Sequence, residues 1–259
     1  MRVRSGVRLL LLICFFVLSH CKKSVKERKA RKAYREGVKA QSNGDLNVAE
    51  EKYRDALRFS KGFFPDASWN LCHIYQYKAE AGPAIDVLRE ALQALQSKGK
   101  RTKKSVMVTN ALSTNNAYRE TIKYECGLHF YLGNMLSMQE HTTLDAQHHY
   151  LRVTELCPEF PDAHFRLAGV SSDLSKAIFR FEEAVRLRPD FLEAYVNLGA
   201  ILKDVGRLNE SVKAYDEAIR LQPNSAEALA NRGVTLQAAG RLEEAIESYV
   251  TRITLTYIL

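Results

Sequence analysis

Asn197 and Asn231 stand 34 residues apart in two near-copies of one phrase, "EAYVNLGAILKDVGRLNESVKAYDEAIRLQP" from Glu193 to Pro223 and "EALANRGVTLQAAGRLEEAIESYVTRI" from Glu227. Asn70 holds the same place in a weaker copy, while Tyr131, Arg166 and Arg35 hold it in others. A primary amide both donates and accepts, so a row of them grips the backbone of an extended peptide without demanding a particular side chain. The alternative is structural: an asparagine at that place stabilises the turn of the next helix.

Other residue types offer less chemistry. His141, His148 and His149 cluster in sequence, but adjacent histidines point to different sides of a helix and read as a solvated face. No glycine-rich phosphate loop, no G-x-S-x-G elbow and no C-x-x-C occurs in the 259 residues. No catalytic residue, metal or cofactor is therefore expected, and the chain reads as a non-enzyme. Cys72 occupies a small-residue packing place and reads as a buried small hydrophobe. Cys126 opens one helix and Cys157 closes its antiparallel partner, which puts both at one end of a unit. In an oxidising compartment they form a disulfide; otherwise they are two unrelated thiols. Asn209 opens the sequon Asn-Glu-Ser, a glycan acceptor placed in the turn between two helices.

The elements that position these residues follow from the period. Aligning the two best copies sets Tyr195 over Leu229, Gly199 over Gly233, Gly206 over Gly240 and Tyr215 over Tyr249. A fixed period of that length means stacked two-helix units. Tyr195, Leu198 and Leu202 recur at helical spacing, Gly206 ends that helix, and Val212, Tyr215, Ala218 and Ile219 form a second stripe. Small residues at Gly199 and Ala218 let the paired helices approach, and Pro223 turns the chain into the next unit.

These residues resemble the tetratricopeptide repeat, W-x2-L-G-x2-Y, then A-x3-F-x2-A, then P. Weaker copies carry Leu167, Ala168, Ala177, Phe181, Ala184 and Pro189, then Leu132, Gly133, Ala146, Tyr150 and Pro158. Earlier still stand Leu71, Cys72, Tyr75, Ala84, Leu88 and Ala91, and Gly37, Gly44, Ala49, Tyr53 and Ala56. The resemblance implies an all-α, right-handed α-solenoid of about five helix-turn-helix repeats, two convincing and three degenerate. It also implies a concave groove lined by the first helix of each unit, with Asn70, Tyr131, Arg166, Asn197 and Asn231 facing a peptide. The amide row is similar to the asparagine ladder of O-GlcNAc transferase-type superhelices. The basic clamp with which related repeats take the acidic tails of chaperones is missing: Glu193, Val196 and Asn197, then Glu227, Ala230 and Asn231, stand in its places.

Composition divides the chain further. The net charge of +8 is concentrated in residues 1–21, 22–35 and 98–104, which carry +3, +7 and +5 and leave about −7 for the rest. A basic surface along the array is absent, which excludes nucleic acid as a partner. Residues 1–21 combine three arginines, an apolar run from Leu9 to Leu18 and the small flanking residues Ser19 and Cys21. That is the layout of a signal peptide cleaved after Cys21. The alternative is an uncleaved anchor at the endoplasmic reticulum or mitochondrial outer membrane, with residues 1–35 touching lipid. The basic segment 22–35 leads into two degenerate units over 30–98, a basic linker over 99–125 that reads as a solvated insertion with a loosely helical second half, or else as a docking loop for an acidic partner, and three units over 126–259.

The last copy departs from its model. Arg252 replaces the counterpart of Ala218, and Ile253, Leu255, Tyr257 and Leu259 alternate with polar residues, a period that leans toward a strand. An array with an apolar end is either interrupted or self-associating. The sequence thus predicts a non-catalytic scaffold that binds a protein or peptide ligand in the secretory lumen or outside the cell. Two other readings are the substrate-recognition part of a glycosyltransferase and a membrane-anchored receptor.

Overall fold

The computed structural model describes residues 25–62, 64–105, 111–139 and 141–258. The signal segment 1–21 and the residue Leu259 lie outside them. Every regular element among the described residues is a helix, and these fall into two compact units divided after Gln139. The first holds α1 (25–42), α2 (Leu46–Ser60), α3 (Pro65–Tyr77), α4 (Ala81–Ser105) and α5 (Ala111–Ser137). The second holds α6 (Thr143–Leu156), α7 (Pro161–Gly169), α8 (Leu174–Leu187), α9 (Leu192–Asp204), α10 (Leu208–Leu221), α11 (Ala226–Ala238) and α12 (Leu242–Ile258). Within each unit consecutive helices pack on one another. No helix of the described residues is long and apolar enough to cross a membrane.

Local chemistry sets the boundaries. Pro65 and Pro161 stand in the first turns of α3 and α7, where the missing N–H costs nothing. The Asp173 carboxylate caps α8 by accepting from the backbone N–H groups of Ser175 and Lys176 at 3.0 and 3.1 Å, and Ser225 caps α11 through the Ala228 N–H. Gly206 and Gly240, at φ 81° and 74°, supply the left-handed turns that reverse the chain after α9 and α11.

Within a pair, glycine opposite tyrosine sets the approach. A methyl carbon added at Gly199 would stand 2.7 Å from the Tyr215 ring, and the same holds for Gly37 against Tyr53 and, at 2.6 Å, for Gly233 against Tyr249. Each glycine precedes its tyrosine by 16 residues, so one register is built three times. Ala218 is buried with Val196, Tyr215 and Ala228. Between successive pairs a branched apolar residue is covered by the next pair: Ile178 by Leu198, Leu202 and Ala214, and Val212 by Leu236 and Ala245.

Several expectations need correcting. The helices of the described residues number twelve, enough for the two full and four weaker copies named above, against a count of about five. The stretch read as a linker over 99–125 is helical on both sides of residues 106–110, since α4 runs to Ser105 and α5 begins at Ala111. The segment after Ser248 is not a strand but the end of α12. Extending an existing helix adds one hydrogen bond per residue fixed, whereas a strand needs a neighbouring edge, and none exists among the described residues. The hydroxyls of Thr251 and Thr254 also bond back to the carbonyls of Glu247 and Val250.

Candidate peptide groove

The groove residues are built on α3, α5, α7, α9 and α11, and their surroundings differ. In the first unit Asn70 is half-buried, and its Nδ2 donates to the Tyr53 hydroxyl at 3.1 Å. That hydroxyl in turn donates to Gln41 Oε1 at 2.6 Å, so one amide of the row ties α3 to α2 and α1. Tyr131, on α5, packs its ring 4.8 Å from Trp69 and edge-on to His73 at 5.7 Å, both on α3. Trp69 reaches this place because Gly127 has no side chain: an added methyl would stand 2.3 Å from the indole. Behind it Tyr124 meets Trp69 edge-on at 5.9 Å and donates to the Ser68 hydroxyl, and burial pushes its phenol up to about 12. Around Tyr131 and Asn70, α3 and α5 therefore share an aromatic cluster beside one engaged amide.

In the second unit Arg166 and Asn197 are exposed on α7 and α9, and Asn231 is half-buried on α11. Asn197 Nδ2 donates to the Glu193 carbonyl one turn back at 2.8 Å, which leaves its Oδ1 as acceptor. The backbone carbonyl of Asn231 accepts from the Thr235 hydroxyl at 2.8 Å. Thr235 lies 3.4 Å from Ser211, which donates to the Gly199 carbonyl at 2.7 Å, so a buried hydroxyl chain joins α9, α10 and α11. Arg232, beside Asn231, spans to Asp216 and Ser248, both at 2.6 Å.

Behind α7 the polar groups are satisfied internally. The Arg180 guanidinium can only donate, so His164 accepts at Nδ1 and donates from Nε2 to the Pro158 carbonyl at 2.8 Å. Burial holds this imidazole below its ordinary pKa, and the charge of Arg180 adds to that. Arg188 pairs with Asp162 and lies over the Phe191 ring at 4.5 Å, which in turn stacks on Phe165 at 4.8 Å.

Cys72 is a buried free thiol, pushed up to about 12 by burial, as a packing residue would be. Cys126 is buried on α5, and Cys157 is half-buried at the end of α6. Asn209 is exposed on the first turn of α10 rather than in the turn before it. His148 meets His149 edge-on at 5.6 Å, and no group of three metal-ligating side chains occurs among the described residues.

One recurrence was not anticipated: a glutamine 12 residues before the register tyrosine takes its hydroxyl, Gln41 from Tyr53 and Gln237 from Tyr249, the second at 3.4 Å. Lys203 stands at that place before Tyr215, and the buried Tyr215 hydroxyl has no partner among the described residues. The repeated spacing in the sequence is the signal that finds it.

Residues 201–240 match the family model described as TPR repeat. They cover the end of α9, all of α10 and all of α11, and include Tyr215 and Gly233 of the two best copies. No curated protein matches the chain. Among solved structures it is similar to a PilF protein of Pseudomonas aeruginosa at 17% identity, over 89% of this chain and 90% of that one, with a TM-score of 0.61. A MamA protein is also similar, at 17% identity over 74% and 91%, with a TM-score of 0.57. YrrB, described as a TPR protein with an unusual peptide-binding site, is similar at 20% identity over 76% and 88%, with a TM-score of 0.56. At such identities the likeness is one of fold: all-α, with paired helices in the TPR manner.

Proposed function

We propose that this chain is a non-catalytic protein-binding scaffold that holds an extended peptide or partner helix along its first helices, in the secretory pathway. The observation that carries the reading is the row on α7, α9 and α11, where one register position holds Arg166, Asn197 and Asn231, all outside the apolar core. The likeness to YrrB supports peptide as the ligand class. The grip falls on Asn197, exposed with its Oδ1 left to accept, and on Asn231 of the same unit, whereas Asn70 ties α3 to Tyr53. In the first unit, taken by itself, Trp69 and Tyr131 offer an apolar contact surface. A partner captured by the whole chain and then titrated back tests this. Replacing Asn197 and Asn231 together by Ala weakens binding by about 1–3 kcal/mol, because partner groups lose their bonds on burial. Hydrogen exchange in α9 to α11 stays unchanged. Binding that persists, or that is lost only together with protection, refutes the groove.

The compartment rests on residues 1–21. Amino-terminal sequencing of the lumenal product is expected to begin at Lys22, and a membrane-bound form that keeps Met1 speaks for the anchored reading. The exposed row Arg28, Lys32, Arg35 and Lys39 on α1 would suit that anchor, facing anionic lipid. In an oxidising lumen Cys126 and Cys157 form a disulfide, which non-reducing peptide mapping detects as one linked pair; two alkylatable thiols would refute it.

A further inference from the structure

Along α12, Leu242, Ile246, Val250 and Ile253 follow one another at spacings of four, four and three, which puts them on one face over three turns. They are 54, 61, 51 and 54% exposed. The same register occurs on the two preceding second helices, at Ile178 on α8 and Val212 on α10, each 34 residues before the next. Those two are only 6 and 3% exposed, because the following pair covers them with Leu198, Leu202 and Ala214, or with Leu236 and Ala245. At the Ile246 position an apolar residue is thus built three times and covered twice, and Val250 extends it where the earlier copies hold Asp216 and Glu182.

We propose that the α12 face is covered by the α12 face of a second copy of this chain, in a closed two-fold dimer. Ile246 continues a contact the chain already makes twice with itself, so the occupant must bring apolar side chains to it. A head-to-tail contact would bring the leading face of the first helix pair instead. Counted from Gly37 and Tyr53 as Leu198, Leu202 and Ala214 are counted from Gly199 and Tyr215, that face carries Glu36, Ala40 and Lys52. Glu36 pairs with Lys32 and Lys52 with Glu51, and both ion pairs lie toward solvent. Seating them on Ile246 would bury charge against an apolar stripe. The α12 stripe against itself, antiparallel, sets Ile246 of one copy opposite Val250 of the other and buries apolar groups alone. A two-fold contact also closes, so growth stops at two chains. Glu243 and Glu247 edge the stripe on one side, and the two-fold brings the acidic edges of both copies together. Salt therefore strengthens the pair, by screening that repulsion and by favouring apolar burial. Four side chains per copy make a small interface, below the roughly 1,200 Å² of standard complexes, so the dimer depends on concentration. The face is separate from the peptide groove, and its test does not depend on the groove.

Sedimentation of the 259-residue chain across a concentration series decides the matter, with the circular dichroism of every variant recorded. The mass is expected to rise from one chain to two and stop there, and to hold or rise with added salt. Ile246→Lys leaves one chain at all concentrations, and the milder Ile246→Thr weakens the dimer at least about tenfold (about 1.4 kcal/mol) with helical signal unchanged. Phe179→Lys, at a residue 54% exposed on α8, leaves the dimer intact. A chain that stays single up to about 100 μM, a mass that grows past two, dissociation in salt, or an Ile246→Lys variant that still dimerises overturns the proposal.

Discussion

Tyr53 and Tyr215 occupy one register, and removing the hydroxyl from each should have opposite effects. Both residues are fully buried against a glycine, Gly37 or Gly199, but the Tyr53 hydroxyl is bonded on two sides, at 2.6 and 3.1 Å, and that of Tyr215 on none. Tyr53→Phe forfeits two hydrogen bonds at about 1 kcal/mol each, partly recovered because Gln41 and Asn70 are half-exposed, so a loss of about 1–2 kcal/mol is expected. Tyr215→Phe relieves a desolvated hydroxyl worth about 1–3 kcal/mol. It also leaves a void of one oxygen atom, costing on the order of 0.3 kcal/mol, for a net gain of about 1 kcal/mol. Burial already shows in this phenol, whose pKa is pushed up to about 12. Because arrays open locally, native-state hydrogen exchange is the right assay, and each kcal/mol changes a protected amide by about fivefold. Exchange in α1 and α2 speeds up in Tyr53→Phe, and exchange in α9 and α10 slows in Tyr215→Phe. Lys203→Gln, which restores the glutamine of the other two copies, should slow it as well. If Tyr215→Phe accelerates exchange as much as Tyr53→Phe does, the hydroxyl is satisfied by water and the reasoning fails.

Gly127→Ala places a methyl where the Trp69 ring lies, and Trp69 is the sole tryptophan of the chain, so fluorescence reports on one site. The ring is expected to swing out, with a red-shifted emission. The loss of about 1 kcal/mol from its aromatic contacts is partly offset by the better helix propensity of alanine; unchanged emission would contradict the packing. Glu50 gives a pH test. Burial alone would raise its pKa, but the bonds from Lys78 at 2.6 Å and Tyr75 at 3.0 Å, with the charge of Arg54, outweigh burial and hold it below its ordinary value. A depressed carboxyl stabilises the fold above its unfolded pKa and loses that contribution as pH falls through the folded one. Glu50→Gln should therefore be less stable by about 1 kcal/mol at pH 7 and converge with the parent once pH has fallen through the depressed folded pKa, below the ordinary carboxylate range; a gap that persists in stronger acid would exclude the carboxylate as its source.

The helix pairs were legible in the sequence because their cause is local. Gly199 and Tyr215 recur with Gly233 and Tyr249 at one spacing, and steric contact across a turn leaves that imprint. What escaped was decided elsewhere. The alternation of Ile253 and Leu255 over a few residues carries no stronger signal than the helix it extends, so the end of α12 was misread. The basic run from Lys98 hid the continuation of α4, since charge says nothing about backbone period. The asparagines share a register, yet their partners are set by side chains 17 residues away, as for Asn70 and Tyr53, or by a neighbouring turn, as for Asn197 and Glu193. One row of amides in the sequence thus became three different environments in the fold.

The 16-residue reach from Gly to Tyr also sets a clock. Contacts this local form in microseconds to milliseconds. A ribosome adding about 5–20 residues per second takes roughly 2–7 s to deliver the next 34. Each hairpin therefore closes while its successor is still being made. The near-identical phrases beginning at Glu193 and Glu227 are never unfolded together for long, so the interval of synthesis keeps a helix from pairing with the wrong twin.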